Sequence, residues 1–289
     1  MSLIFQKYHG LGNDYLVYDC IKNNAYLNED HIKLICDRNF GIGSDGILVG
    51  PIFREDKVKV KIYNPDGTEA EKSGNGVRIF SKYLKDAEYI VNDEFVLSTL
   101  GGDVKVNFQN EKGTILKISM GKLSFMSEDI GMTGDNREVI NVPMYFNNTK
   151  YLCTCVSIGN PHCVIPMEDI SKVKVCEIGQ YSERADYFPN RINTQIVKVI
   201  DRNNIQIEIF ERGAGYTLAS GSSSCAAAGA VFRLGHVDND ITVHMPGGNI
   251  KIEISDDFDV FMTGSVCSVG EISLSEEFMQ ENRLANLSK

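Results

Sequence analysis

The chain has 289 residues, enough for one large domain or two of roughly 120 to 150 residues, and its 43% hydrophobic content argues against disorder. Its 39 acidic and 29 basic side chains leave a formal charge of -10, and no long Lys/Arg-rich block offers the footprint of a nucleic-acid binder. A small metabolite is the expected partner. Met1 to Asp19 lacks a basic stretch followed by an apolar run, and nowhere do about 20 apolar residues follow one another. A soluble, cytoplasmic protein without membrane contact is therefore expected.

In chain order, period-two apolar patterns predict strands at Ile4 to His9, Val58 to Tyr63, Glu94 to Thr99, Val104 to Asn107 and Ile115 to Met120. The pattern recurs at Leu152 to Ile158, Ile192 to Ile200, Ile205 to Phe210, Ile241 to Met245 and Ile250 to Ile254. Helices are expected at Glu29 to Asp37, Val77 to Ala87 and Ser224 to Leu234, and an amphipathic tail helix at Leu274 to Lys289. Many short strands around few helices favour an α+β architecture over a dinucleotide-binding sheet. The eight cysteines read as buried free thiols rather than a disulfide framework, with Cys153 and Cys155 facing the same side of one strand. Five scattered histidines and the cysteine spacings supply no metal site.

A weak internal repeat organises the chain. Ser73 opens one helix and is followed 28 residues later by Gly101-Gly102 and a strand; Ser220 opens another and is followed 27 residues later by Gly247-Gly248 and a strand. Duplicated halves facing one another across a cleft would produce this spacing. The expected division is 1–122 and 123–270, with a tail, 271–289, packing on either half.

The first repeat reads Asn64-Pro65-Asp66-Gly67, then Ser73-Gly74-Asn75-Gly76. Pro-Asp-Gly marks a turn, the two later glycines allow close approach of backbone to a ligand, and the free N–H groups of a helix start suit a carboxylate. An ordinary serine cap explains the same residues. In the second repeat Glu211-Arg212 approaches Ser220-Gly221-Ser222, with Ser222 or Ser223 as candidate cap. Arg212 suits a bidentate carboxylate and Glu211 an ammonium, or the two pair with each other.

Taken together, these segments resemble the diaminopimelate epimerase family over nearly the entire chain. The motifs that carry the resemblance run from His9-Gly10-Leu11-Gly12-Asn13-Asp14 through Phe40-Gly41-Ile42-Gly43-Ser44-Asp45-Gly46 and Asn64-Pro65-Asp66-Gly67. They resume at Ser157 to Val164 with Asn160-Pro161-His162, at Arg191-Ile192-Asn193, Glu211 to Gly215 and Met245 to Gly248, and end at Met262-Thr263-Gly264. The resemblance implies two pseudo-symmetric α/β halves, each wrapping strands around a central helix, and an amino-acid substrate between them. It implies that two cysteines exchange the α proton on opposite faces of LL- or meso-diaminopimelate without pyridoxal phosphate or metal, in lysine or cell-wall precursor synthesis. A homodimer is compatible with it.

Ser73 and Ser220 stand where the family carries those catalytic cysteines. The same carry-over makes Asn13, Asn64, Asn160, Asn193, Glu211 and Arg212 substrate contacts, and places the reactive carboxylate beside Gly74-Asn75 and Gly221-Ser222. His162 reads either as a contact or as a turn histidine. Departures from the family pattern include Gly46 where some members have glutamine, Tyr216 where an acid is usual and Ser265 where proline is frequent. Serine is a poor base without an activating neighbour, so efficient epimerisation is not expected. The serines read as size-preserving replacements, as native residues of a diamino-acid binder that does not epimerise, or as relays in altered catalysis with Glu211 as activator. A related cofactor-independent isomerase of another acid is the enzymatic alternative.

Overall fold

In the computed structural model, residues 3–23, 25–54, 57–282 and 284 are described. The chain divides into two compact units: Met1–Ile118 with Ser265–Lys289, and Ser119–Gly264. The same order of elements is written twice along it.

In the first unit β1 (Ile4–Gly10) and β2 (Asn13–Asp19) form a hairpin, and α1 (Glu29–Cys36) carries the chain to β3 (Ile47–Arg54), which lies parallel to β2. The helix starts where it does because Asn28 and His31 form a reciprocal capping box. Next come β4 (Lys57–Tyr63), antiparallel to β3, and the short β5 (Glu69–Ala70). The β4 sequence Lys-Val-Lys-Val-Lys-Ile-Tyr buries Val58, Val60 and Ile62 while the intervening residues stay outside, as a pleated strand with one core face requires. The tight turn after β4 closes through Gly67, at φ +85°, where an added Cβ would also press on the Glu29 backbone oxygen at 3.0 Å.

The chain then enters α2 (Gly74–Asp86) and leaves it for β6 (Glu94–Thr99), β7 (Gly102–Phe108) and β8 (Ile115–Lys122). β6 lies parallel to β4, and β6, β7 and β8 pair antiparallel in turn. α2 is covered continuously from Asn75 to Leu84 and packs on β1, β2, β3 and β7, so it is the axis of this unit.

The second unit begins with a one-turn helix, α3 (Ser127–Ile130), and β9 (Val142–Phe146). It then repeats the circuit. β10 (Thr149–Ser157) and β11 (Pro161–Pro166) form a hairpin, α4 (Lys172–Ser182) crosses over to β12 (Asn193–Asp201) parallel to β11, and β13 (Asn204–Glu211) and β14 (Gly215–Thr217) follow antiparallel. α5 (Gly221–Arg233), buried from Ser223 to Val231, leads to β15 (Asp240–Met245), parallel to β13, then to β16 (Gly248–Ile254) and β17 (Asp259–Ser265). Both parallel crossovers recur at the same place in the circuit. The fold is thus α+β with two pseudo-symmetric, largely β-sheet units, each built around a 13-residue helix.

Several strands, β2 and β11 among them, and three further features differ from the sequence reading. α4 was not anticipated, because Lys172-Val-Lys-Val alternates like a strand; Ser171 nevertheless caps it, accepting from the Lys174 N–H at 3.2 Å. The edge strand β18 (Cys267–Ser273) pairs antiparallel with β1 and belongs to the first unit, whereas the sequence reading places residues to 270 in the second half. The tail forms only α6 (Glu276–Glu281), and residues 283 and 285–289 lie outside the described residues. Leu274, Met279 and Leu284 join Phe5, Leu16 and Ile32 in the core of the first unit, which decides where the tail docks.

All eight cysteines are free thiols, five of them buried, with Cys20 and Cys176 half-buried and Cys267 exposed. Cys153 and Cys155 share one side of β10 and meet Cys163 in the core of the second unit, where burial and mutual contact hold the Cys153 and Cys163 thiols protonated. No helix among the described residues is long and apolar enough to cross a membrane.

Candidate active site

Each unit presents a serine-capped helix start at the first turn of its central helix. In the first, Ser73 is the N-cap residue of α2, at φ -136° and ψ 120°, and its Oγ accepts the Gly76 N–H at 3.0 Å. In the second, Ser220 caps α5 at φ -143° and ψ 126°, and its Oγ accepts the Ser223 N–H at the longer distance of 3.5 Å. The near-identical dihedrals show that the repeat extends to local backbone geometry. The cap is Ser220 rather than Ser222 or Ser223, and both helices start three residues earlier than periodicity indicated. Gly74-Asn75 and Gly221-Ser222 consequently supply first-turn N–H groups, the positive end of each helix dipole.

Around Ser73 the amides form a directed chain. Arg78, fully buried, donates from Nη2 to Asn75 Oδ1 at 2.7 Å; Asn75 Nδ2 donates to Asn13 Oδ1 at 2.9 Å; Asn13 Nδ2 donates to Asp45 Oδ2 at 2.8 Å. Arg38 bridges Asp45 and Asp14 at 2.7 Å each, and Lys7 reaches Asp14 at 2.8 Å. Hydrogen bonds from Arg38 and Lys7 outweigh the opposing effect of burial and hold the Asp14 carboxyl below its usual range. Each donor in this chain faces an acceptor, so the orientation of both amides is fixed. Asn64 stands apart from it, in the turn after β4, where its Nδ2 donates to Thr68 Oγ1 at 3.0 Å.

The second helix start has a counterpart. Asn160 Nδ2 reaches Ser222 Oγ at 3.4 Å, Asn160 Oδ1 lies 3.0 Å from His162 Nε2, His162 Nδ1 lies 3.3 Å from the Gln195 amide, and that amide contacts Ser223 Oγ at 3.0 Å. His162 is fully buried, and loss of hydration pushes its pKa down to about 3, so the ring is neutral and carries one proton. Gln195 Nε2 donates to Ser223 Oγ while Gln195 Oε1 faces His162 Nδ1, so both ring nitrogens look onto amide oxygens and the single ring proton serves one of them at a time. His162 is neither an isolated turn residue nor an ionised base here; it links Gln195 to Asn160.

Asn193 is spent on backbone, donating to the Pro161 oxygen at 2.8 Å and accepting the Arg212 N–H at 3.0 Å. It thereby ties the Glu211-Arg212 turn to the β11 strand. Glu211 accepts from Thr217 Oγ1 at 3.0 Å, while the exposed Arg212 donates to the Asn190 oxygen at 3.1 Å, so the two do not pair with each other. Tyr216 turns its hydroxyl to Glu208 at 2.9 Å.

Sequence reasoning missed Tyr15, whose hydroxyl lies 3.2 Å from Ser73 Oγ, and Gln195. Each sits two residues beyond a candidate asparagine on a strand, Asn13 on β2 and Asn193 on β12, and so on the same face. That period was the available signal.

This two-unit α+β architecture is shared with several solved structures. A probable proline racemase from Agrobacterium radiobacter matches with a TM-score of 0.69 at 11% identity, over 95% of this chain and 93% of that one. A phenazine biosynthesis protein from Bacillus anthracis matches with 0.68 at 15% identity, over 95% and 99%. The sequence narrows the class further: the model of the family described as diaminopimelate epimerase matches residues 5–126 and 154–269. "Diaminopimelate epimerase 2" of Nostoc sp. is 48% identical over 98% of this chain and 99% of its own length, and a diaminopimelate epimerase of Halothermothrix orenii is 36% identical over 96% and 100%. The chain belongs to the diaminopimelate epimerase family.

Proposed function

We propose that this chain binds a two-ended diamino diacid, diaminopimelate, and acts at its α carbon through Ser73 and Ser220, with turnover limited by the serine hydroxyls. The observation that carries the reading is the pair of serine-capped helix starts, equivalent in the repeat and matching the positions where the family resemblance expects the two catalytic cysteines. Racemisation needs one group able to take a proton and another able to give one on the opposite face, and one serine from each unit meets that requirement. The first-turn N–H groups of α2 and α5 would stabilise charge as the α carbon loses its proton. Asn13, Asn64, Asn75, Asn160, Glu211 and Arg212 would fix the amino and carboxyl groups, with Asn193 holding the Glu211-Arg212 turn in place and the ordered amide chains limiting their freedom before the substrate arrives. Lysine or cell-wall precursor synthesis in the cytoplasm is the corresponding pathway, and no nucleic acid or membrane takes part.

A second reading is favoured by the serine environments. Among the described residues Ser220 Oγ accepts the Ser223 N–H, Ser73 Oγ meets the Gly76 N–H and a phenol, and neither bonds a histidine, lysine or carboxylate. A diamino-acid binder without turnover fits that chemistry. Incubating LL- and meso-diaminopimelate separately in deuterated water, while measuring inversion, α-deuterium incorporation and binding, decides between them. Saturable binding without wash-in leaves the binder; deuterium exchange with a different acid, and none with diaminopimelate, would replace the substrate assignment.

A further inference from the structure

We infer that Tyr15 is the proton partner of Ser73, so that the acid–base unit of the first half-site is a phenol–hydroxyl pair. The inference rests on the reading that Ser73 acts at the substrate α carbon, and deepens it.

The geometry lies wholly within the first unit. Tyr15, on β2, is 7% exposed and points its hydroxyl to Ser73 Oγ at 3.2 Å. A serine hydroxyl has one proton and two lone pairs, and the Gly76 N–H occupies one lone pair at 3.0 Å. When the phenol donates to Ser73, both lone pairs are taken and only the serine proton remains to meet a ligand. When Tyr15 is a phenolate, Ser73 donates to it and turns a lone pair outward instead. The same pair can therefore give a proton or take one, according to the state of Tyr15.

In the giving direction the Ser73 O–H bond breaks as a C–H bond forms at the α carbanion, the Tyr15 O–H proton refills Ser73, and Tyr15 is left as phenolate. In the taking direction the α C–H electron pair stays on the substrate, its proton passes to Ser73 Oγ, and the former serine proton passes to the phenolate. Atoms and charge balance in both, and no oxidant or cofactor enters. A phenol ionises near 10, whereas a serine hydroxyl needs an activating neighbour, so the pair supplies the activation that Ser73 alone lacks.

The fold makes room for this pair at one of the positions that depart from the family pattern. A Cβ on Gly46 would press first on the Tyr63 backbone oxygen and then stand 2.7 Å from Tyr15 Cε1 and 3.2 Å from Cδ1, so a side chain at 46 would require both the Tyr63 backbone and the Tyr15 ring to shift.

The test uses the full chain and its Tyr15→Phe and Ser73→Ala variants, each checked for folding by circular dichroism. Binding of meso-diaminopimelate is measured by calorimetry and α-deuterium wash-in across pH 7 to 10.5. Wild-type wash-in should rise about tenfold per pH unit toward the phenol range, and Tyr15→Phe should lose at least about fiftyfold of it, with the dissociation constant changed less than about twofold. A Tyr15→Phe protein with the wild-type rate and pH profile overturns the inference, as does a wild type that binds without wash-in at any pH. A chain that binds no diaminopimelate overturns the substrate reading instead. The pair itself is then judged by carbon-13 tyrosine NMR, Tyr15 being assigned by its loss in Tyr15→Phe: its titration should move in Ser73→Ala, and an unmoved titration refutes proton sharing.

Discussion

Lowering the pH should weaken the second unit through His162 before any carboxylate is protonated. In the folded chain burial holds this imidazole at about 3, whereas in the unfolded chain it returns to 6.5. Because the folded value is depressed, its contribution to stability is fully present above the unfolded value. It is lost as pH falls toward the folded one: the unfolded state takes up a proton that the folded state refuses. Each pH unit in that window costs about 1.4 kcal/mol, so the change from pH 7 to pH 5 costs about 2 kcal/mol from this residue alone. Gln195, Asn160 and the positive Arg212 surround the ring, and none offers the negative charge that would rescue the imidazolium. Urea unfolding at pH 7 and pH 5 for the wild type and His162→Gln is the measurement. The wild type should lose about 2 kcal/mol more than the variant across that interval. Equal losses would refute the account, showing that the ring either is hydrated or finds a counter-charge on protonation.

Three further outcomes are expected. Ser73→Cys with Ser220→Cys places a thiol near pKa 8.5 at each helix start, where the dipole lowers it; epimerisation measured by chiral chromatography should rise by more than about a hundredfold, and no rise in a folded, diaminopimelate-binding variant would count against the lost-thiol explanation. Ser73→Ala should destabilise by about 1 kcal/mol in denaturant melts, and Ser220→Ala by less, because its cap bond is 3.5 Å rather than 3.0 Å; a reversed order would contradict the cap geometry. Gly179→Ala should cost roughly 1 to 3 kcal/mol, since the new Cβ would fall 2.6 Å from Phe210 Cβ on the neighbouring strand; an unchanged melting temperature would show that α4 and β13 slide apart freely.

What was legible in the sequence followed from local rules. Period-two patterns located strands such as β4, β6 and β13 because one face of each is buried, and the serine-glycine spacing exposed the repeat because identical helix starts need the same small residues. Motif order pointed to the family and singled out Asn13, Asn75, Asn160 and Ser222. Shorter or two-sided elements escaped. β2 and β11 are buried on both faces and show no alternation, and α4 alternates like a strand while its Gly179 packs under Phe210.

The sequence by itself determined composition class, the duplicated circuit and the residue types at each helix mouth, since these depend on spacing along one chain. Tertiary structure decided which polar groups meet. Asn13 finds Asn75 62 residues away, Tyr15 finds Ser73 after 58, and His162 finds Gln195 after 33. It also assigned β18 and the tail to the first unit, because the pairing partner of β1 is set by sheet edges and core packing rather than by anything local in residues 267–284. Hydrogen-bond direction, and with it the neutral state of His162, depends on burial that only the folded chain creates.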